Sequence, residues 1–82
     1  MTTLEQRILQ AVADLGEDAY TLPIYRRANG SLDGTCDTIL LTDWYLWEMY
    51  ERGLVNCRDV GDTPKLLWWL TGPGRRALEG AR

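Results

Sequence analysis

The feature that most limits what this chain can fold into lies in its second half. Leu54 to Val60 and Lys65 to Leu70 read as short strands, and Gly61-Asp62-Thr63-Pro64 between them has the composition of a turn. This predicts a β-hairpin. Side chains on a strand alternate between its two faces, so Trp68 and Trp69 cannot both point inward. One of them, with Leu66 or Leu67, is expected on the outer face of the hairpin.

The sequence before the hairpin reads as helical. Leu4, Ile8, Ala11, Val12 and Leu15 recur at spacings of three and four, with Leu9 beside them, which is one face of an α-helix. Thr3 is suited to cap its start and Gly16 to stop it. A second, shorter helix is predicted from Thr21 as N-cap, with Pro23 in the first turn, where its missing N–H costs nothing. Ile24, Tyr25 and Ala28 would face inward and Arg26 and Arg27 outward. Asn29-Gly30 ends this helix, and Gly30 to Gly34 reads as a loop. A third helix, starting between Asp37 and Thr42, carries Thr42, Leu46 and Met49 on one face and closes at Gly53. After the hairpin, Thr71 as N-cap and Pro73 begin a last short helix running to Ala81.

The order is therefore helix-helix-helix-strand-strand-helix in one domain over residues 1–82, mainly α with a small hairpin. Three helices with a hairpin directly after the third are the winged form of the helix-turn-helix.

Composition narrows the function. No apolar run approaches the roughly 18 residues of a membrane span, and the first residues do not read as a signal peptide, so a cytoplasmic protein is expected. Nine Lys and Arg against twelve Asp and Glu give a net charge of −3, which argues against indiscriminate polyanion binding but leaves room for a local basic patch. With no histidine there is no imidazole base, and neither Cys36 nor Cys57 has a neighbour that activates a thiol, so catalysis is not expected. Two cysteines fall short of the four ligands zinc prefers; a metal site would need a second subunit, and a Cys36–Cys57 bridge does not suit a cytosolic chain. Small buried side chains are their ordinary role. Gly72-Pro73-Gly74 is a helix start rather than a phosphate loop. No cofactor is expected.

Several segments resemble a known group. Glu51-Arg52-Gly53-Leu54-Val55 resembles the end of the recognition helix and the first wing strand of winged-helix regulators of the PadR and MarR type. Leu70 to Glu79 resembles the segment that leaves their wing and starts the next helix. Ile8 to Leu15, Ala19-Tyr20 and Ile24-Tyr25-Arg26-Arg27 are similar to the opening helices of the PadR group. The resemblance covers most of the chain and implies a DNA-binding transcriptional regulator, usually dimeric; a domain this small suits a phage or mobile-element genome. Two departures stand out. Where that family has a strand rich in arginine and tyrosine, this chain has Lys65-Leu66-Leu67-Trp68-Trp69-Leu70, and its third helix is acidic and aromatic, from Asp43 to Glu51.

Two functional expectations follow. In the first, the third helix enters the major groove of double-stranded DNA with Tyr45, Glu48 and Arg52 outward and Asp43 as a further candidate, and Arg26, Arg27, Arg58 and Lys65 hold the backbone. In the second, the domain is a protein-interaction module that binds a host or regulatory protein through an acidic, tryptophan-rich face. Leu67, Trp68, Trp69 and Trp47 are the residues expected at a homodimer or partner contact, because exposed tryptophan beside leucine marks partner surfaces. The bland reading of the tryptophans is core, for Trp44 or Trp47 and for one of Trp68 and Trp69. A base-stacking platform for single strands would want more basic residues around it.

Overall fold

The computed structural model describes residues 3–29, 39–61 and 65–81. The order is α1 (Thr3–Leu15), one 3₁₀ turn (Gly16–Asp18), α2 (Thr21–Asn29), α3 (Ile39–Glu51), β1 (Val55–Asp59), β2 (Leu66–Leu70) and α4 (Gly72–Gly80). This is the winged-helix order expected from the sequence. The loop read at Gly30–Gly34, Cys36, and the turn residues Asp62, Thr63 and Pro64 lie outside the described residues.

α1 forms where its apolar spacing predicts, and it buries Ile8, Leu9, Ala11 and Val12. α2 contributes Ile24 and Ala28 to the same core. Its cap differs by one residue from expectation. The Tyr20 carbonyl accepts the Ile24 N–H at 3.0 Å, so Tyr20 precedes the first turn and Thr21 is already helical. The Thr21 hydroxyl is used elsewhere: it accepts the Trp68 indole N–H at 3.0 Å. α3 buries Thr42, Leu46 and Met49, the face read from the sequence. It ends as Gly53 predicts. Gly53 has φ 78°, its N–H reaches the Tyr50 carbonyl at 3.0 Å, and the Leu54 N–H reaches that of Met49 at 2.9 Å. These are the paired bonds of a Schellman ending, which needs a left-handed residue at that place.

β1 and β2 pair antiparallel, with Val55 opposite Leu70, Cys57 opposite Trp68 and Asp59 opposite Leu66. Alternation sends Val55, Cys57, Trp68 and Leu70 toward the helices and Asn56, Arg58, Leu67 and Trp69 to the outside. The sheet also has a third participant. Tyr20 bridges to Leu67, and the Trp68 N–H donates to the Ala19 carbonyl at 2.9 Å. Ala19 and Tyr20 thus cover the far edge of β2 and stitch the hairpin to the junction of α1 and α2. Two residues are too few to show a strand period, which is why this contact is silent in the sequence.

The core is continuous: Ile8, Leu9, Ile24, Leu46, Met49 and Trp68 are fully buried within it. α4 is capped by Thr71, whose side chain accepts the Gly74 N–H at 3.1 Å. Its Leu78 packs into the core beside α1.

An ion pair ties the end of α3 to α1. Arg52, just past α3, donates a hydrogen bond to the buried Glu5 carboxylate on α1. Removing the arginine leaves a buried carboxylate without that counter-charge, and such a loss exceeds the value of an exposed pair. Arg52→Ala is expected to lower stability by about 1–3 kcal/mol. Urea denaturation of Arg52→Ala, Glu5→Leu and the double variant checks this. The double variant should be more stable than Arg52→Ala alone, and the assignment fails if it is less stable.

Candidate interaction face on the third helix

Helix α3 is apolar on more than the side it buries. Thr42, Leu46 and Met49 face the core; Leu40, Trp44, Trp47 and Glu51, spaced by four, three and four residues, form a stripe on the opposite side. Leu40 is 76% exposed, Trp44 57% and Trp47 40%. Ile39 and Tyr50 add further exposed apolar surface on one flank. The charged residues of the helix, Asp43, Glu48 and Glu51, are all acidic, and it has no basic residue in its last turn.

The rings on this face are held in place. Trp47 meets the buried Trp68 edge-on, with centroids 5.1 Å apart and planes at 77°, and meets Tyr50 at 5.4 Å and 73°. Trp44 rests against Tyr45 at 5.0 Å and 84°. These geometries are the favoured ones for aromatic pairs. Large rings already fixed by neighbours lose little conformational freedom on binding, which suits them to be interface anchors.

The residues expected to read DNA are distributed otherwise. Tyr45 is half-buried and packs against the core, Glu48 is half-buried, and Arg52 is tied to Glu5. The outward positions are Leu40, Trp44, Trp47 and Glu51 instead, because the apolar outer stripe hides the true core phase of the helix. Arg27 is engaged as well: its guanidinium donates twice to the Asp14 carboxylate on α1, at 3.2 Å each. Arg26, Arg58 and Lys65 are exposed. Arg58 stands on the outer face of the hairpin opposite Leu67. Arg26 and Lys65 converge. Both line a hollow of about 550 Å³ between the starts of α2 and α3 and the turn end of the hairpin, together with Leu22, Ile39, Leu40 and Asp43. The Lys65 ammonium lies 5.9 Å from the Tyr20 ring centroid, a cation–π distance.

The contact residues expected on the hairpin divide by strand parity. Trp68 is a correction: it is fully buried, the largest side chain in the core, and presents no surface to a partner. Trp69 is 39% exposed and Leu67 half-buried on the outer face. The expectation that Trp44 or Trp47 serves as core is also corrected, since both are exposed. Leu46 and Met49 take the inward positions instead, and the indoles ride outside them.

Cys57 faces inward beside Trp68 but is only half-buried. Burial raises its thiol pKa, and the nearby Asp59 carboxylate raises it further. At neutral pH it stays protonated, the form that neither attacks nor ligates. Among the described residues no group of three or more His, Cys, Asp or Glu is placed to hold a metal ion, and no helix is long and apolar enough to cross a membrane. Compared with known proteins, the chain matches no family model and no curated protein.

Proposed function

We propose that this winged helix is a protein-interaction module and that the outward face of α3 is its binding surface. One observation carries the reading. The helix that a winged helix inserts into DNA here turns Leu40, Trp44 and Trp47 outward, flanked by Asp43, Glu48 and Glu51. In a major groove those carboxylates would meet phosphates, and the indoles would bury polar base edges against apolar surface. Against a protein, the same rings are the residue type that dominates binding energy, and the carboxylates form a polar rim.

The test is fluorescence anisotropy of a labelled random duplex across a salt series. No saturable binding is expected, even at low salt. Binding that weakens steeply with salt and disappears in Trp44→Ala would overturn the reading, because it would place α3 on DNA.

A DNA-binding transcriptional regulator is the second reading. The resemblance of the chain to PadR-type regulators favours it, as does the convergence of Arg26 and Lys65 on one side of the molecule. Under that reading Arg26→Glu with Lys65→Glu would abolish duplex binding, whereas under the first there is no duplex binding to lose.

A further inference from the structure

We propose that the occupant of the α3 face is a second copy of this chain, packed with its own α3 antiparallel about a two-fold axis; this rests on the protein-interaction reading above. The outward stripe is symmetric about its own midpoint. Leu40 and Trp44 lie as far before the centre as Glu51 and Trp47 lie after it, so an antiparallel copy brings Trp44 against the partner's Trp47 and Leu40 against the partner's Glu51. An isologous contact requires this self-matching pattern.

The charges at the two ends agree with the same orientation. At the start of α3 the hollow lined by Ile39, Leu40 and Asp43 also carries Arg26 and Lys65, two cations to one carboxylate. At the other end Glu51 is exposed. Antiparallel packing sets each Glu51 over the partner's Arg26 and Lys65, and over the positive end of the partner's α3 dipole. Parallel packing would instead stack Glu51 on Glu51. The flank agrees too: Asp43 and Tyr50 are seven residues apart and share one side of the helix, so each Tyr50 hydroxyl comes within reach of the partner's Asp43 carboxylate. A partner of another kind would need a basic rim at one end of its groove and an acidic one at the other, a pattern this chain already supplies to itself.

The experiment is sedimentation velocity of the full chain over a concentration series. A shift from the 9.4 kDa monomer to twice that mass is expected as concentration rises. Trp44→Ala should abolish the shift. Glu51→Arg and Arg26→Glu should each weaken dimerisation at least tenfold, and the two together should restore it, because the swapped pair forms at both symmetric ends. Circular dichroism confirms that each variant folds. A monomer at every concentration overturns the proposal, and so does a dimer that Trp44→Ala or the charge swap leaves unchanged. The duplex assay separates the two levels. A monomer that ignores DNA removes only the second copy as occupant, whereas a monomer that binds DNA through Trp44 removes the protein-interaction reading as well.

Discussion

Trp68→Ala is expected to lower the unfolding free energy by about 3–5 kcal/mol, the range for truncating a large buried aromatic. Trp68 is 0% exposed and the largest side chain that is fully buried. Its indole joins three parts of the fold. It stands on β2, donates to Thr21 at the start of α2, and carries the edge of Trp47 from α3. Alanine removes the ring from all three at once and leaves a cavity that the surrounding elements, stitched by the Ala19–Trp68 backbone bond, cannot collapse into. A chain of this size has about 4–12 kcal/mol of stability in total, so the variant loses a large share of it and should melt well below the wild type. Urea denaturation followed by circular dichroism measures the loss. Trp68→Phe, which keeps a ring but not the bond to Thr21, should fall between wild type and alanine. A loss under about 1 kcal/mol for alanine would mean that the indole does not fill the core.

Gly74→Ala is expected to destabilise by about 3 kcal/mol or more, the upper part of the range for forcing extra atoms into a packed site. Glycine to alanine in a helix ordinarily stabilises by up to about 1 kcal/mol, so here the sign reverses. A methyl carbon at this position would stand 1.8 Å from the Leu54 carbonyl oxygen and 2.8 Å from its carbon. Both are backbone atoms. That oxygen is itself held, since it accepts the Thr71 N–H at 3.1 Å, and Thr71 in turn caps the helix through the Gly74 N–H. α4 would have to lift off the end of α3 and break its own cap to make room. Gly80→Ala is the control. A methyl there meets nothing within 4 Å, and its stability should match wild type or exceed it slightly. Equal behaviour of the two variants in thermal melts would refute the close approach.

The two largest expected effects are not equally legible in the sequence. One tryptophan of the Trp68-Trp69 pair had to be buried, because strand neighbours point to opposite faces, but alternation alone does not say which. The pairing register and the bridge from Tyr20 choose Trp68. Gly74 was legible only as part of a helix start. Its need for a bare backbone comes from Leu54, twenty residues away along the chain, and nothing local signals such an approach.

The helix boundaries follow the same division. Gly53, Thr71 and the α1 stripe act through bonds within a few residues, so their roles could be read directly. Thr21 suits a cap because threonine prefers that role, but the distant Trp68 takes its hydroxyl instead. In α3, apolar residues on both faces make the phase ambiguous. Thr42, Leu46 and Met49 take the core face as the pattern reads, Tyr45 and Glu48 are half-buried, and Arg52 is exposed but paired with Glu5. Arg52 and Arg27 looked like solvated cations and are ion-paired to α1, because partners 47 and 13 residues away leave no mark on local pattern.

Local pattern is enough for the order of elements, and with it the winged-helix fold, since apolar period, caps and turns are properties of neighbouring residues. Which faces are left over is chosen elsewhere. Burial is settled by long-range packing, and that packing took Trp68 inward, paired two of the expected DNA-binding arginines, and left Leu40, Trp44 and Trp47 facing out on the third helix.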